Sequence, residues 1–324
     1  MLSALKFVQG ATSTKGLVQE LTHFRIKDGV VVGHNGSLAL CAPLEVELDC
    51  CPHAATFVKA IEACEDTIQL ALMRNGNLSV RSGKFRVSVP TVPVEAYPEV
   101  APEGESVQLD GGLLEALAAL LPVVAEDASR PWANGVLLDG DYAYATNNII
   151  LVERWLGYHF PFRVNLPHYA VRELLRIGEE PERVLLGERS MTFFYSDSRW
   201  LRTQLFSVEW PDVSAMLPTA QQFKLMQKQP LEEDFYTKLR TLVPFLDQLS
   251  TLVVNGHHAC TAYSEEEGAS LELQNEYPEF VVSLRMLLLL EGLATMADFD
   301  KWPAPIPFFG DRARGVLAGI RRGN

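Results

Sequence analysis

Two short segments of the sequence are nearly identical and lie about a third of the chain apart. Val94–Val100 is VEAYPEV and Val208–Val213 is VEWPDV, so each has an aromatic residue, a proline, an acid and a valine in that order. Their prolines, Pro98 and Pro211, are 113 positions apart. A repeat with this spacing in a chain of 324 residues predicts tandem domains of similar size.

The segments that precede these two phrases share one order of predicted elements, a helix followed by short strands. Apolar residues at helical spacing predict the helices, and alternating apolar and polar residues predict the strands. The helices are predicted at 55–64 and 169–178. The strands are predicted at 67–73, 78–81 and 85–89, and at 183–186, 191–195 and 201–206. Each phrase is then predicted to be the closing strand of its domain.

A similar order of predicted helices and strands extends over the rest of the chain. Further helices are predicted at 2–10, 113–124, 232–249 and 282–294. Further strands are predicted at 21–26, 29–32, 37–40, 134–138, 142–146, 149–155, 251–254, 260–263, 270–273, 306–309 and 315–320. A third similar phrase, Glu276–Phe280, lies only 67 residues after Pro211 and precedes a predicted helix, so it does not close a domain.

Two polar segments that contain proline, Ala101–Glu105 and Pro218–Ala220, separate the repeats. They predict three domains of one kind, at 1–104, 105–218 and 219–324, the last of them shortened. The predicted fold class is α+β, with two helices packed against antiparallel sheets in each domain.

Composition and charge limit the class of protein. The chain is 48% hydrophobic and 21% charged, and it has no apolar run of membrane-spanning length and no signal peptide at its start. These features predict a soluble, cytoplasmic protein. Its five cysteines form an irregular set that fits a reducing compartment. A net charge of −13 argues against nucleic-acid binding through bulk electrostatics, but it leaves other ways of holding DNA open.

Three stretches of the first two domains resemble the bacterial DNA sliding clamp, the β subunit family of DNA polymerase III. Asn77–Val100, NLSVRSGKFRVSVPTVPVEAYPEV, is similar to the end of that family's first domain. Ser129–Trp155, with its NG and its AT…ILV, is similar to the NG…ATDGHRLA stretch of the second domain. Val208–Pro218 is similar to its FPDYxxVLP stretch. The last third resembles the family only by position and helix pattern, which suggests a divergent, phage-like member.

The resemblance implies a clamp fold that assembles into a ring and is not an enzyme. Two chains would join head to tail, helices would line the hole, and double-stranded DNA would be held topologically without sequence specificity. The ring would act as a processivity factor that tethers the replicative DNA polymerase and is opened by a clamp loader. Neither a cofactor nor a metal is implied. A globally acidic ring with cations confined to its inner helices would slide without binding phosphate tightly.

The resemblance also places candidate residues at the DNA-facing surface. Most of them are basic residues on the predicted helices, and three lie in loops at the rim of the hole. The helix residues are Lys6, Lys59, Arg172, Arg176, Lys238, Arg240 and Arg285. The loop residues are Lys15, Arg130 and Trp132. Solvated helix charges and, for Trp132, a core position are the alternative interpretations.

A pocket for linear peptides of partner proteins is implied between the second and third domains. The positions that match the family's pocket are Thr146, Asn148, Ile149, Leu151, Pro211, Met216, Val316, Ala318 and Ile320. Asn147–Ile150 replaces the family's D-G-H-R, and the methionines of its C-terminal segment are missing. The sequence therefore predicts an apolar but remodelled pocket, with a simple buried strand at 149–151 as the alternative.

Other classes of protein remain as alternatives. Cys50-Cys51-Pro52-His53 and His257–Cys260 could hold a metal, although no second ligand pair accompanies them. The sequence has no phosphate-binding loop and no hydrolase motif, but a cysteine hydrolase based on Cys64 or Cys260 with a distant histidine remains possible. A clamp-fold decoy that binds partners without encircling DNA is the main alternative function.

Overall fold

The computed structural model describes residues 1–15, 18–126, 129–263 and 267–321. The chain forms two compact units. The first contains Met1–Leu114 and Arg172–Ser207, and the second contains Glu115–Val171 and Val208–Asn324. The predicted second domain, 105–218, therefore contributes residues to both units. The predicted boundaries at 104/105 and 218/219 remain a prediction.

The first unit is built on a seven-stranded antiparallel sheet. Its strands are β1 (Phe24–Lys27), β2 (Val30–His34), β3 (Leu38–Pro43), β9 (Glu105–Gln108), β12 (Arg183–Leu186), β13 (Ser190–Phe194) and β14 (Trp200–Gln204). Their order is β1-β2-β3-β14-β13-β12-β9. The first unit consists of two chain segments, and the pairing of β3 with β14 joins them. In this pairing, Leu40 lies opposite Leu201. The sheet is therefore held together by pairing that is distant in sequence.

Two helices and two small sheets complete the first unit. The helices are α1 (Leu2–Gln9) and α2 (Ala54–Glu62), and the strands are β4 (Cys51–Pro52), β5 (Ile68–Leu72), β6 (Leu78–Ser82), β7 (Phe85–Val89) and β8 (Thr91–Val92). Helix α2 buries Phe57, Val58 and Ile61, the apolar residues whose spacing predicts it. Helices α1 and α2 pack on each other, and α1 packs on β3.

The second unit contains a six-stranded antiparallel sheet in the order β10-β11-β20-β19-β18-β15. Its strands are β10 (Gly135–Thr146), β11 (Ile150–Pro167), β15 (Gln229–Pro230), β18 (Met296–Ala297), β19 (Ile306–Phe309) and β20 (Ala313–Leu317). A separate ribbon pairs β16 (Thr251–Cys260) with β17 (Ser270–Ser283). Strand β11 lies between β10 and β20 and is the central strand for the candidate site.

The remaining helices are short. They are α3 (Leu113–Leu120), α4 (His168–Ile177), α5 (Ala220–Leu225), α6 (Phe235–Arg240) and α7 (Leu284–Leu288). Single 3₁₀ turns lie at Gln19–Thr22, Val94–Ala96, Leu121–Val123, Pro131–Ala133, Ser214–Met216, Val243–Phe245 and Phe299–Lys301. Helices α1 to α4 confirm the four helices predicted in the first two thirds of the chain.

The two helices predicted in the last third are wrong in extent. The predicted helix 232–249 is reduced to α6, because Pro244 cannot donate a backbone hydrogen bond and the chain turns into a 3₁₀ segment there. The predicted helix 282–294 is reduced to α7. Val281 and Val282 belong to β17, where they pair with Val253 and Leu252 of β16.

The two repeated phrases do not form closing strands. Val94–Ala96 is a 3₁₀ turn, and so is Ser214–Met216 just after the second phrase. Their aromatic residues, Tyr97 and Trp210, are both buried. The third similar phrase lies inside β17, which agrees with the prediction that it does not end a domain. The repeated aromatic residue therefore anchors a loop.

Candidate functional site

One face of the six-stranded sheet carries the candidate partner site. We call it the linker face, because the segment 208–219, the linker, packs on it. Alternation along β11 and β20 places Leu151 and Glu153 on this face together with Arg314 and Val316, and Leu151 and Val316 are paired in register. The linker contributes Leu217 and other apolar residues to the contacts on this face.

A buried apolar cluster fixes the linker to this face. Its members are Leu137, Leu151, Trp210, Leu217 and Val316, with Trp132, Tyr144 and Val213 packed against it. The rings of Trp132 and Trp210 meet edge to face, with centroids 5.2 Å apart. Leu151 and Val316, both predicted as pocket residues, are thus brought together by strand pairing.

The turn between β10 and β11 presents one exposed apolar side chain. Thr146 Oγ1 donates to the carbonyl of Ile150 at 2.6 Å and accepts from the backbone N–H of Asn148. Asn148 adopts a positive φ of 71°, and Arg130 donates to its side-chain oxygen at 2.6 Å. Ile150 is buried, whereas Ile149 is 41% exposed. The remodelled turn is therefore ordered by Thr146, Asn148 and Arg130, and it leaves Ile149 accessible.

A groove of about 510 Å³ lies beside the apolar cluster, and we call it the peptide pocket. Met216, Leu217 and Pro218 form one wall, and Val316 belongs to its floor. Leu225 of α5 contributes to the opposite wall and is 77% exposed, and Met216 is 59% exposed. Exposed large apolar side chains around a groove are typical of a binding surface.

An ion pair between the half-buried Arg314 and the buried Glu153 holds the linker beside the peptide pocket. The Nε of Arg314 is 2.5 Å from Glu153 Oε1, and Tyr144 donates to Glu153 Oε2 at 3.0 Å. Arg314 also donates to the carbonyl of Pro218 at 3.2 Å. The hydrogen bond to Glu153 raises the pKa of Arg314, so this guanidinium remains charged. Arg314 thus joins β20, β11 and the linker at one point.

Of the other predicted pocket residues, Pro211 and Ala318 lie near this centre. Pro211 lines a smaller concavity of about 320 Å³ together with Leu137 and Leu217. The backbone N–H of Ala318 donates to the carbonyl of Ile149 at 2.8 Å, so it adjoins the β10–β11 turn. Ile320 lies elsewhere: its N–H donates to Val281, and its carbonyl accepts from Trp302.

Sequence reasoning missed several groove residues. Trp210 belongs to the apolar cluster, and Leu225 and Pro305 line the peptide pocket. Trp210 had a usable signal, since it is the aromatic residue of the repeated phrase. Leu225 had none, because α5 has only six residues and no helical periodicity can be recognised over so short a segment.

The predicted DNA-facing residues of α1 and α2 differ in their surroundings. Lys6 pairs with Glu62 at 2.7 Å, which links the two helices across their exposed sides. Lys59 is also exposed on α2, and no ion pair joins it to a residue that the structure describes. Lys15 is exposed in the loop after α1 and likewise has no described ion-pair partner.

In α4, the two predicted arginines differ in role. Both Arg172 and Arg176 are exposed, and neither is without an interaction partner. Arg176 pairs with the buried Glu173 and donates to the carbonyl of Phe7 at 2.8 Å, at the end of α1. A side chain at Gly10 would collide with the Glu173 carboxylate, so glycine is needed for this contact. Arg176 therefore connects α4 to α1.

Among the cations of α6 and α7, two form ion pairs and one does not. Lys238 pairs with the buried Glu232 at 2.8 Å and with Asp234 at 3.1 Å, and the hydrogen bond to Glu232 raises its pKa. Arg240 pairs with Glu291. Arg285 is exposed and has no ion pair among the described residues. Of the predicted set, Lys15, Lys59 and Arg285 are exposed and have neither an ion pair nor a side-chain hydrogen bond to a described residue.

Arg130 and Trp132 take part in the local structure of the second unit. Arg130 is engaged with Asn148, as described, and remains exposed. Trp132 is half-buried against Trp210, and its carbonyl accepts from Asn165 at 2.8 Å. A role for either residue at the DNA remains a prediction, and for Trp132 only the exposed edge of the ring would be available.

Four of the five cysteines are buried thiols, and Cys64 is partly exposed. Burial raises the pKa of Cys41 and Cys50 to about 12 and that of Cys51 to about 11, so these residues are protonated at neutral pH. Within the four described ranges, no group of three or more histidine, cysteine, aspartate or glutamate side chains could hold a metal ion. None of the described helices is long and apolar enough to span a membrane.

Comparison with known proteins identifies the fold. No protein-family model and no curated protein sequence matches this chain. Among solved structures, the DNA polymerase sliding clamp of Pseudomonas aeruginosa matches with a TM-score of 0.83 and 16% identity, over 99% of this chain and 97% of that one. The sliding clamp of Bacillus subtilis matches with a TM-score of 0.83 and 15% identity, with the same coverage. The chain thus has the DNA clamp fold, which confirms the predicted fold class.

A third structure is similar to this chain and carries a bound peptide. It is the β clamp of Helicobacter pylori bound to a DNA ligase peptide, with a TM-score of 0.78, 15% identity and coverage of 99% of this chain and 97% of that one. The resemblance seen in the sequence motifs of the first two thirds therefore extends, as a likeness of fold, over nearly the whole chain.

Proposed function

We propose that this protein is a DNA polymerase processivity factor, a ring-shaped sliding clamp without enzymatic activity. The observation that carries the proposal is the likeness of fold to DNA polymerase sliding clamps over 99% of the chain. Two chains would close head to tail around double-stranded DNA in the cytoplasm. Such a ring is held on DNA by its closed shape and needs no tight contact with the phosphates. This agrees with the net charge of −13.

The distribution of charge supports a ring that slides. Several cations of the predicted DNA-facing set are engaged by neighbouring acids, as in the pairs Lys6–Glu62 and Arg240–Glu291. Each such pair reduces the net positive potential that the phosphates would meet. Few available cations mean weak phosphate binding, and weak binding suits a protein held by topology.

The peptide pocket supports a tethering role. It combines a buried floor at Val316 with exposed walls at Met216 and Leu225. Short apolar segments of partner proteins bind in grooves of this kind. We propose that the replicative DNA polymerase and the clamp loader dock here, in the way that a DNA ligase peptide is bound by the Helicobacter pylori clamp.

Retention on circular DNA tests the proposed ring. The protein is loaded onto nicked circular DNA with a loader and ATP, and retention is measured by gel filtration before and after the DNA is cut to a linear form. A clamp is retained on the circle and released on linearisation. A partner-binding decoy shows no difference between the two, and that result would contradict the proposal.

Two further measurements bear on the parts of the proposal. The mass in solution should be twice that of the 36.0 kDa chain, and a strict monomer at micromolar concentration would argue for an open form or a decoy. Peptides that bind clamps should bind with micromolar affinity in fluorescence polarisation. Met216→Asp should weaken that binding at least tenfold, because it places a charge on the apolar wall, whereas Met216→Leu should leave it nearly unchanged.

A further inference from the structure

Helix α5 divides the linker face into two grooves. Gln222, Leu225 and Met226 line the peptide pocket on one side of the helix. Phe223 and Lys224 line a second groove of about 520 Å³ on the other side. The second groove is as large as the peptide pocket, and none of the candidate pocket residues derived from the sequence lies in it.

Exposed aromatic side chains form one wall of the second groove. Tyr142 of β10 and Trp155 of β11 are partners in register and are 38% and 46% exposed. The Arg312 guanidinium carbon is 5.8 Å from the centroid of the Trp155 ring. Phe223 and Phe309 meet edge to face across the groove's other part, with centroids 4.8 Å apart. Aromatic surface left open in a concave site is typical of a place where another molecule binds.

The charge at this groove is opposite to that of the whole chain. Glu153 is engaged by Arg314 at 2.5 Å and by Tyr144, so its charge is compensated within the protein. The charges that remain at the rim are Lys224, Arg312 and Asp311. Arg312 forms an ion pair with Glu115, with 3.3 Å between Nη1 and Oε2, but its side chain stays exposed. In a protein of net charge −13, this patch attracts acidic groups.

We propose that the second groove binds a linear protein segment that has an aromatic residue flanked by acidic residues. The aromatic ring would pack against Tyr142 and Trp155, and the flanking carboxylates would pair with Lys224 and Arg312. The proposal rests on the proposed function only in taking the chain to be a platform for partner proteins. Single-stranded nucleic acid would also stack on aromatic rings, but its phosphates need a longer track of cations than this rim offers.

The test uses a fluorescein-labelled nonapeptide with one central phenylalanine flanked by glutamates. We expect binding in the range of ten to several hundred micromolar by fluorescence anisotropy, and no binding of a matched peptide with lysines in place of the glutamates. Binding of the unlabelled acidic peptide should also protect Trp155 from iodide quenching. The same measurement on Trp155→Phe separates the signal of this groove from that of the other four tryptophans.

Matched variants locate the binding site. Trp155→Ala and Lys224→Glu should each weaken binding at least tenfold, and Trp155→Phe should retain most of it. Lys84→Glu on the exposed β6–β7 hairpin should leave it unchanged. Thermal unfolding of each variant verifies that the fold is intact.

Three results would overturn the proposal. They are equal affinity of all variants, no binding of the acidic peptide at millimolar concentration, and displacement of the peptide by a thymidine oligonucleotide that binds more tightly. Because the assay uses no DNA loading, a failure here leaves the ring proposal standing. Conversely, a protein that is not retained on circular DNA can still bind the acidic peptide in the second groove.

Discussion

Arg314 is the residue on which the candidate partner site depends most directly. Its guanidinium pairs with the buried carboxylate of Glu153 and also donates to the carbonyl of Pro218 in the linker. Leu217, which precedes Pro218 in the linker, packs in the apolar cluster with Leu151 and Val316. The position of the linker therefore decides the shape of the peptide pocket.

We expect Arg314→Met to lower the free energy of unfolding by about 2–3 kcal/mol, because it leaves the Glu153 carboxylate buried without its cation. Urea denaturation measures this loss. The double variant Glu153→Gln/Arg314→Met should recover part of it, since no charge is then left unpaired. Losses that simply add would show that the two side chains are not coupled.

Asp298 is a buried carboxylate whose pKa is raised by burial more than it is lowered by the nearby Lys301. It is 1% exposed, and burial raises its pKa although Lys301, at 4.0 Å, opposes this. A raised folded-state pKa means that the folded protein binds a proton more readily than the unfolded chain. The free energy of unfolding therefore decreases as the pH rises from the unfolded pKa, near 3.9, through the folded one.

Asp298→Asn removes that charge and should raise the melting temperature at pH 7 by roughly 2 °C, or about 1 kcal/mol. The difference from the unchanged protein should shrink as the pH is lowered below the folded pKa of Asp298. Calorimetric scans at a series of pH values from 7 down to 4 give the comparison. A lower melting temperature at pH 7 would mean that Lys301 stabilises the ionised form more than burial disfavours it.

The cysteines permit a simple chemical experiment. Cys41, Cys50, Cys51 and Cys260 are buried, whereas Cys64 is partly exposed and donates to the carbonyl of Ala60 at 3.1 Å. We expect a maleimide to modify one thiol per folded chain, at Cys64, and all five in urea. Peptide mass spectrometry identifies the site. Rapid modification of Cys260 in the folded protein would reopen the cysteine-hydrolase alternative.

At the level of elements, α5 matters more than its length suggests. Its six residues separate the two grooves, and its start is fixed by a capping box between Thr219 and Gln222. The Thr219 hydroxyl accepts from the N–H of Gln222 at 3.2 Å, and the Gln222 side chain accepts from the N–H of Thr219 at 2.9 Å.

Thr219→Ala should cost about 1 kcal/mol of helix stability, because the first turn of α5 loses its cap. The effect should be local, with faster amide hydrogen exchange at Phe223, whose N–H bonds to the carbonyl of Thr219 at 2.8 Å. Thr219→Ser is the matched control, since it keeps the hydroxyl. Unchanged exchange in the alanine variant would show that packing of Phe223 on Phe309 suffices to hold the helix.

The elements also show where local sequence is a reliable guide. Helices α2 and α4 follow from apolar spacing over nine and ten residues, which favours no other structure. The run Leu287–Leu290 is apolar on all sides, so its spacing does not define where a helix begins. The long strand β11 was predicted only as far as Trp155, although apolar residues alternate with polar or small ones from Leu156 to Leu166. Gly157 and Pro161, which are unusual inside a strand, obscure that signal.

For the whole molecule, the charge of the helices decides how it would meet DNA. Lys15, Lys59 and Arg285 are the cations of the predicted set that have neither an ion pair nor a side-chain hydrogen bond to a described residue. Each phosphate contact releases about 0.9 counterion, so three contacts give a slope of about −3 per chain in a plot of log affinity against log salt concentration.

We expect Lys59→Ala and Arg285→Ala each to reduce that slope by about 1, as measured by fluorescence anisotropy on a short duplex. Lys6→Ala should change it little, because Glu62 already engages Lys6. Glu62→Gln is the informative partner variant, since it frees Lys6 and should strengthen binding at low salt. A slope that is unaffected by all four changes would contradict the assignment of these helices to the DNA-facing surface.

The amino-acid sequence alone determined the repeat, the first four helices, most strands of the first two thirds and the resemblance to sliding clamps. These features depend on local periodicity and on motifs within a few tens of residues. Tertiary structure alone decided the sheet pairing of β3 with β14 and of β11 with β20, which join segments more than 150 residues apart. It also decided which cations are engaged by acids and that α5 splits the linker face. Such contacts depend on three-dimensional distances between side chains, and no local pattern in one sequence records them.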